Sequence, residues 1–303
     1  MDNPKIKICI LDFWPGAFEG DFFDYFLQRA SNSSHTFVSI EEEPDVFITS
    51  VFGNSPSPRE KTIFITGENV RPNFYKHRFS LSFDKNEWGG GNFYLPLWKS
   101  YLKWDGYSER MPNQKSDPSH SNESLMDITK LTNTRTLGNI KTKFCALVAS
   151  NPEATRTNLF LALNGIAKVD GYGKMFGQIL KQSKFEILKD YKFCLCPEND
   201  YYPGYVTEKL FQAWYAGTVP IYMGSIPASE PINNKAFIHF NPENNIEELV
   251  SQVTSINESR EKYLSIYEQP ILTKEPSINE AILFLRSAII QTSGKQIRHE
   301  VHR

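Results

Sequence analysis

The chain of 303 residues lacks any uninterrupted apolar stretch long enough to cross a membrane, for which about 18 residues are needed. Its first residues run directly into a strand-like pattern, KIKICILD at 5–12. They lack the long apolar centre and the small-residue cleavage site of a secretory signal peptide. We therefore expect a cytoplasmic protein without a membrane-spanning helix.

A large excess of either charge is also missing. The chain has 33 Lys and Arg against 35 Asp and Glu, a net charge of −2, and no long basic run. This balance gives no general basis for nucleic-acid binding, so we predict no nucleic-acid partner. The segment SGKQIRHEVHR at 293–303 is mildly basic. We interpret it as a frayed tail, with weak peripheral contact to the inner membrane as the alternative.

Patterns of metal ligands are scarce as well. The four cysteines, Cys9, Cys145, Cys194 and Cys196, lie within apolar runs, and we predict buried, reduced thiols. We expect the thiols of Cys194 and Cys196 to face opposite sides of a strand. Neither CxxC nor Asp-x-Asp occurs. We therefore predict no metal site.

The apolar residues that are present follow strand-like and helix-like patterns in turn. Strands are predicted at 5–12, 45–52, 61–67, 143–150, 191–196, 219–223 and 236–240. Helices are predicted at 19–30, 155–166, from Thr207 onward, and over 246–292 with breaks at Pro270 and Pro276. Short buried strands that alternate with helices indicate an α/β fold with parallel sheets.

A polar segment at 105–141, rich in Ser, Asn, Thr, Pro and Lys, separates two such patterns and is predicted to be a linker. We predict two Rossmann-like domains facing a cleft, at 1–140 and 141–275. A C-terminal helix and tail at 276–303 follow, and they could pack back on the N-terminal domain.

The densest group of polar side chains, CPENDYYPGYVTEKLFQAWYAGTVPIYMG at 196–224, lies where a predicted strand gives way to a helix. We predict Thr207 as the N-cap of that helix and Gly217 as the residue just beyond its end. Glu208 and Lys209 would then lie in the first turn, where free backbone N–H groups attract phosphate. The alternative is a solvated pair of charges. The other polar groups in the run favour a ligand site.

The longer run YKFCLCPENDYYPGYVTEKLFQAWYAGTVPIYMGS at 191–225 resembles the donor-site signature of the bacterial-type α1,3/4-fucosyltransferases. That signature has YKF-x-L-x-x-EN, GYVTEK, an apolar helix and PIY-x-G in this order. Three other segments agree with it: FITGENVRPNF at 64–74, ALVASNPEATR at 146–156 and NNKAFIHF at 233–240.

The resemblance implies a GT-B fold and inverting transfer of L-fucose from GDP-fucose, without a permanently bound cofactor or a required divalent metal. The N-terminal domain would bind the acceptor and the C-terminal domain GDP-fucose. The acceptor would be a GlcNAc or Glc hydroxyl of a lactosamine- or lactose-type glycan, with α1,3 or α1,4 linkage left open. Two alternatives remain, a GT-B transferase for another nucleotide sugar and an inactive glycan- or nucleotide-binding protein.

The resemblance also assigns donor contacts to individual residues. Lys209 and Arg156 would neutralise the diphosphate, and Glu208 would bind the ribose hydroxyls. Asn199 and Tyr205 match further donor-contacting positions.

Glu198, Tyr172 and Lys174 are additional donor candidates. Glu198 lies beside Asn199, and the other two lie in DGYGKMFG at 170–177. This segment misses the GxGxxG spacing by one residue and follows no clear strand, so we interpret it as a flexible turn near the donor.

Glu68 is the candidate catalytic base. It follows the predicted strand TIFIT, and the resemblance places a proposed base at the Glu of GEN. The alternative is a loop carboxylate that accepts backbone N–H bonds. Arg71 is close enough in sequence to test for an ion pair that would impair a base.

Three residues are candidates for acceptor binding. Trp14 in DFWPG and Trp88 on the Gly-rich loop NEWGGGNF could each stack on a sugar face, with core packing as the alternative for Trp14. His77 could hydrogen-bond a sugar or order the base, and the alternative is a solvated loop histidine.

Overall fold

The computed structural model describes residues 5–107, 125–138 and 141–297. Most of the predicted linker, at 108–124 and 139–140, and the end of the predicted tail, at 298–303, lie outside these residues. The described residues divide into two compact units. Unit 1 contains 5–100 and 277–297, and unit 2 contains 101–107, 125–138 and 141–276.

The strands and helices follow one another along both units. The elements of unit 1 before the crossover are β1 (Ile6–Leu11), α1 (Phe22–Ser31), β2 (His35–Phe37), β3 (Val46–Thr49), β4 (Thr62–Ile65), β5 (Phe79–Ser82) and β6 (Asn92–Tyr94). Those of unit 2 are α2 (Ile128–Thr132), β7 (Lys143–Val148), α3 (Ala154–Asn164), β8 (Val169–Tyr172), α4 (Lys184–Leu188), β9 (Tyr191–Pro197), α5 (Lys209–Tyr215), β10 (Val219–Met223), β11 (Ile238–His239), α6 (Ile246–Glu258) and α7 (Arg260–Tyr267). The last helix, α8 (Asn279–Ser293), belongs to unit 1. Short 3₁₀ turns lie at Ile40–Glu42, Arg59–Lys61, Trp88–Gly90, Leu97–Tyr101 and Lys174–Phe176.

Unit 1 is built on a parallel six-stranded sheet with the order β2-β1-β3-β4-β5-β6. The aromatic side chains that predict α1 form its buried face, and Asp21 caps the helix by accepting a bond from the Asp24 N–H at 2.9 Å. Helix α8 packs on α1, where Arg286 donates to the carbonyls of Ala30 (2.9 Å) and Arg29 (2.8 Å). A cation at the C-terminal end of α1 is favourable because the carbonyls there lack helical partners.

Unit 2 has a parallel five-stranded sheet with the order β11-β10-β9-β7-β8. Strand order reverses between β7 and β9, as it does between β1 and β3 in unit 1. In doubly wound sheets, ligands bind at the carboxyl ends of the two strands that flank such a reversal. Topology alone therefore predicts a position for a ligand site in each unit.

Strand β8 corrects the prediction for the glycine-rich segment, which was expected to follow no strand. Residues 169–172 pair with β7 although Asp170 and Gly171 are poor strand formers. Gly171 is needed there because a Cβ would lie 2.3 Å from the Phe176 ring. Tertiary packing overrides local propensity at this edge of the sheet.

The cysteines are buried free thiols, as predicted. The expectation for Cys194 and Cys196 is wrong, because their sulfurs lie 3.6 Å apart on one face of β9. Side chains alternate along a strand with a period of two, so residues i and i+2 share a face.

Within the described part of the chain, no helix has the length and hydropathy needed to cross a bilayer.

Candidate active site

Unit 2 contains a cavity of about 440 Å³ at the carboxyl ends of β7 and β9. Ala149–Asn151, which follow β7, contribute to its wall, as do Pro197 at the end of β9 and Asn199 two residues beyond it. Among the described residues, the charged side chains that line it are Arg156, Lys174, Lys184, Lys209 and Glu208. Four cations against one carboxylate leave an excess of positive charge, which suits an anionic ligand.

Helix α5 begins later than the sequence indicates. Glu208 is the residue before its first turn, so the prediction of Thr207 as the N-cap is wrong. The Thr207 N–H and Oγ1 instead donate to Glu198 Oε1 (2.8 and 3.0 Å), and Oγ1 also lies 2.7 Å from Oε2. At the other end, Gly217 follows Ala216 with φ +83°, as expected of the residue beyond a helix terminus.

Glu198 is 1% exposed and lies beneath Lys209 rather than in the cavity wall. Lys209 Nζ donates to its Oε2 at 2.8 Å, and Tyr222 OH donates to Oε1 at 3.1 Å. Burial opposes the charged form of Lys209, but the carboxylates of Glu198 and Glu208 outweigh it and raise the pKa of Lys209 above its usual range. Glu198 therefore keeps Lys209 charged and in place at the cavity.

Glu208 forms a second pair with Lys184, a residue that the sequence did not single out. Lys184 Nζ lies 3.3 Å from Glu208 Oε1 and donates to Gln212 Oε1 at 2.9 Å. Burial favours the neutral acid, but the charges of Lys184 and Lys209 prevail and lower the pKa of Glu208 to about 2. Glu208 is consequently a carboxylate at any physiological pH.

Arg156 reaches the cavity from the first turn of α3 and is only 3% exposed. Its Nη2 donates to Asn199 Oδ1 at 2.8 Å, and its Nη1 donates to the Asn151 carbonyl. Its Nε is buried without a hydrogen-bond partner among the described residues. Burial lowers the pKa of Arg156, although an arginine remains charged at neutral pH. The structure thus brings the donor candidates Arg156 and Asn199 together, and the Arg156 Nε is left without a partner among the described residues.

Two other candidates lie outside the cavity wall. Tyr205 is 2% exposed, in the loop before α5. The Tyr172 hydroxyl is 2.7 Å from that of Tyr191, which in turn donates to Asp170 Oδ2 at 2.7 Å. Lys174, in contrast, lines the cavity just after Gly173.

Glu68 lies two residues beyond Thr66 at the carboxyl end of β4 and is exposed. Its backbone N–H donates to Thr66 Oγ1 at 3.0 Å. Arg71 does not pair with it, because the Arg71 guanidinium lies over the Phe83 ring at 5.8 Å. The carboxylate is therefore free of the ion pair that would weaken a base.

His77 is buried rather than solvated, so the expectation of a solvated loop histidine is wrong. Its ring stacks on Phe64 at 4.6 Å, and its Nε2 accepts the Asn73 N–H at 2.6 Å. Burial, reinforced by Lys76 and Arg59, lowers the pKa of His77 to about 4. These contacts favour a packing role over the predicted bond to a sugar.

Trp14 and Trp88 are the exposed aromatic candidates. Trp14 is 37% exposed and packs edge to face with Phe23 and Phe52, at 5.5 and 5.8 Å. Trp88 is 49% exposed and lies 5.7 Å from Phe74. Each indole packs against phenylalanine rings and keeps a substantial exposed area, on which a sugar could stack.

Two family models match this chain. The model for the Alpha-(1,3)-fucosyltransferase FucT N-terminal domain matches residues 8–101. The model for the Glycosyltransferase family 10 (fucosyltransferase) C-term matches residues 139–269.

Curated relatives point to the same family. The Alpha-(1,3)-fucosyltransferase FucT of Helicobacter pylori is 30% identical over 295 residues, which cover 89% of this chain and 61% of that protein. The human 4-galactosyl-N-acetylglucosaminide 3-alpha-L-fucosyltransferase 9 is 31% identical over 129 residues, 41% of this chain and 35% of that protein. This chain thus spans less than two thirds of the length of either relative.

A solved structure extends the likeness to the fold. The crystal structure of an alpha1,3-fucosyltransferase with GDP-fucose superimposes with a TM-score of 0.68 at 23% identity, over 95% of this chain and 91% of that one. The predicted α/β fold with two Rossmann-like units of GT-B type is therefore confirmed. The two family models, which together match most of the chain, place it in glycosyltransferase family 10, the fucosyltransferases.

Proposed function

We propose that this chain is an inverting α1,3-fucosyltransferase. It transfers L-fucose from GDP-fucose to a GlcNAc or Glc hydroxyl of a lactosamine- or lactose-type glycan, with the α1,4 linkage as the second candidate product. The observation that carries the proposal is the cavity of unit 2, where four cations and one carboxylate line the strand-order reversal. The names of the relatives and of the solved structure support the same reaction.

The cations supply what the departing nucleotide needs. GDP leaves with a negative diphosphate, and fixed positive groups in a sheltered site stabilise that charge as it develops. Lys209 and Arg156 serve this purpose. Glu198 holds Lys209 in position, and Asn199 holds Arg156. The unpaired Nε of Arg156 is a further donor that a bound oxyanion can satisfy. Lys174 adds a cation at the rim.

The carboxylate of Glu208 serves the neutral part of the donor. As a permanent anion in the wall, it accepts hydrogen bonds from ribose hydroxyls. Asn199 and Tyr205 remain proposed donor contacts, although the Tyr205 side chain is buried outside the cavity wall.

Unit 1 supplies the acceptor side of the reaction. Glu68 deprotonates the attacking hydroxyl as general base, a role that suits an exposed carboxylate at a strand end with no ion pair to the described residues. Trp14 and Trp88 offer stacking surfaces for the acceptor sugar. On this proposal, residues 1–140 bind the acceptor and residues 141–275 bind GDP-fucose.

The test is an incubation of the purified chain with GDP-fucose and N-acetyllactosamine or lactose, followed by mass spectrometry and linkage analysis. We expect a monofucosylated product and released GDP, with and without EDTA. GDP-mannose in place of GDP-fucose tests the alternative of another nucleotide sugar. A folded chain that binds GDP but transfers to neither acceptor would overturn the proposed activity and favour the binding-protein alternative.

A further inference from the structure

Lys184, the first residue of α4, is a largely buried lysine whose side chain reaches toward α5. Its ammonium group has two partners, the carboxylate of Glu208 just before α5 at 3.3 Å and the amide oxygen of Gln212 on α5 at 2.9 Å. The side chains of Lys184 and Glu208 are 22% and 12% exposed, so water screens this pair only in part. All three residues line the cavity of unit 2.

The pair is separate from the one between Lys209 and Glu198. Lys209 Nζ bonds Glu198 Oε2 and Thr207 Oγ1, whereas Lys184 Nζ bonds Glu208 Oε1. Each carboxylate therefore has its own lysine, although Glu208 precedes Lys209 directly in the chain. Among the described residues, Lys184 is the one side chain that donates a hydrogen bond to Glu208 Oε1. Removal of Lys184 would therefore leave this oxygen without a side-chain partner.

Lys184 also starts α4 at a position that a lysine does not favour. The first turn of a helix prefers acidic side chains, and Ser183 already caps this helix through the Glu186 N–H at 3.3 Å. The carboxylate of Glu208 neutralises the charge of Lys184, and this ion pair explains why a lysine occupies the position. The position of Lys184 therefore follows from what it does to Glu208.

We infer that Lys184 is a positioning residue of the donor site: it fixes Glu208 in one rotamer, with Oε1 held and Oε2 left to accept from the nucleotide sugar. The inference rests on the proposed function, because it assigns Glu208 to the donor. Two rival roles are possible for Lys184. It could bind the diphosphate directly, or it could only join α4 to α5.

The experiment is a double-mutant cycle on GDP binding, measured by calorimetry. Lys184→Met removes the charge but keeps the length of the side chain, and Glu208→Gln removes the carboxylate. We expect Lys184→Met to weaken GDP binding by about tenfold at pH 7.5, in line with the loss of one charge-assisted contact. In the Glu208→Gln background the same change should cost less than about twofold, because there is no longer a carboxylate to position.

A matched control removes another lysine of the same segment. Lys189, just past the end of α4, pairs with Glu186 at 2.7 Å, with both side chains 58% exposed and outside the cavity wall. Lys189→Met should leave GDP affinity within about twofold, since exposed pairs contribute little. Lys184→Arg, which restores charge and donors, should recover most of the affinity.

The dependence on pH separates positioning from simple structural support. Removal of Lys184 takes away one of the two charges that keep Glu208 ionised. GDP affinity of Lys184→Met should therefore fall more steeply than that of the wild type between pH 7.5 and pH 5.0. If Lys184→Met does not fold, Lys184→Gln carries the same test, because it lacks the charge but keeps hydrogen-bond donors.

If the double variant loses GDP affinity by the product of the two single losses, the residues act independently. That result would overturn the inference and show that Lys184 contacts the nucleotide itself. A fall in melting temperature with unchanged GDP affinity would also overturn it, in favour of a structural joint. In both cases the wild type still binds GDP and the proposed function stands. A wild-type chain that does not bind GDP would instead remove the proposed function and this inference together.

Discussion

At the scale of single residues, the candidate site contains two ion pairs that are formed before any ligand arrives. Two carboxylates, Glu198 and Glu208, each hold one lysine at the cavity. A buried ion pair gains little stability once desolvation is counted, so stability alone is a weak reason for it. Fixed orientation is the better reason, because preorganised charges need not rearrange when the diphosphate departs.

The proposed base leads to a prediction about turnover. Glu68→Gln keeps the size of the side chain but removes the proton acceptor, so kcat should fall by about 10² to 10⁴-fold. GDP affinity should remain unchanged, because the cavity proposed to bind the nucleotide is in unit 2. Kinetics with GDP-fucose and N-acetyllactosamine, together with calorimetry, test both parts. Glu41→Gln, an exposed acid of unit 1, is the control, and full turnover of Glu68→Gln would mean that another group is the base.

The buried histidine leads to a prediction about pH and stability. The folded-state pKa of His77 is about 4, below its ordinary value of 6.5. Below pH 6.5 the unfolded chain binds a proton that the folded chain does not, so stability is complete above that pH and falls as the pH drops toward 4. We expect His77 to account for a loss of about 2 kcal/mol between pH 7.5 and pH 5.0.

Urea denaturation of unit 1 at the two pH values measures this loss. His77→Gln, which can still accept the Asn73 N–H, should show a weaker pH dependence than the wild type. His239→Gln changes an exposed histidine of unit 2 and should keep the wild-type dependence. An unchanged dependence in His77→Gln would show that His77 is not responsible.

The residues of the site could be predicted where they lie in one run of sequence, and less well elsewhere. Lys209, Glu208 and Asn199 line the cavity as their spacing and the resemblance indicated. Lys184 carries no comparable signal, because it is 24 residues before Glu208 and meets it only through the packing of α4 on α5. Thr207 has the residue type of an N-cap, yet the buried carboxylate of Glu198 competes successfully for its hydroxyl.

At the scale of elements, the cavity depends on the turn between β8 and the 3₁₀ turn at Lys174–Phe176. Gly173 has φ +93°, and a Cβ on it would lie 2.5 Å from the Ala149 carbonyl oxygen. That carbonyl accepts the Met175 N–H at 3.1 Å, so β7 and the turn are in close contact. Only glycine meets both conditions, the positive φ and the close approach.

Two glycine variants compare this crowded turn with a neighbouring position that has free space. Gly177 also has a positive φ, of +68°, but a Cβ there would meet nothing within 4 Å. Gly177→Ala incurs only the cost of the left-handed helical conformation, about 1 kcal/mol. Gly173→Ala incurs about 1–3 kcal/mol for its extended conformation with positive φ, and the collision adds roughly another 1–3 kcal/mol. Gly173→Ala should also weaken GDP binding because Gly173 lines the cavity.

Thermal unfolding and calorimetric GDP binding measure the two effects for each variant. Equal losses in the two variants would mean that the approach to Ala149 does not constrain the turn.

The elements with strongly apolar patterns were predictable, and those with mixed composition were not. Strands β1, β7 and β10 lie within their predicted ranges, and β9 extends only one residue beyond its range, because each is a largely apolar run. Strand β8 was missed, since its pairing with β7 is decided by the tertiary structure and not by Asp170 or Gly171.

At the scale of the whole molecule, the chain returns to unit 1 after it has completed unit 2. Helix α8 packs against α1 and against strands β3 to β6. Its Ile282, Leu285 and Ile289 are buried, and Lys295 beyond it pairs with Asp45 at 2.5 Å. No pattern within 276–297 specifies this partner, since an apolar helix face can pack equally well on many sheets.

Leu285 provides a test of this packing. Leu285 is 0% exposed, so Leu285→Ala should destabilise unit 1 by about 2–5 kcal/mol through lost contacts and a cavity. Leu283, on the same helix but 59% exposed, is the control and should change stability by about 0.5 kcal/mol or less. Hydrogen exchange measured by mass spectrometry should show faster exchange in β1 to β6 of Leu285→Ala. Equal acceleration in β7 to β11 would contradict an effect confined to unit 1.

The position of α8 has a consequence for the way the protein is made. A ribosome synthesises β1 to β6 first, but the helix that covers them emerges only after all of unit 2. Unit 2 is then complete before unit 1, the reverse of the usual order in which N-terminal domains fold first. During that interval the nascent sheet of unit 1 exposes the apolar face that α8 later buries. Translation speed and chaperone supply should therefore govern the yield of folded protein. They act chiefly on the sheet of unit 1, which is synthesised first and covered last.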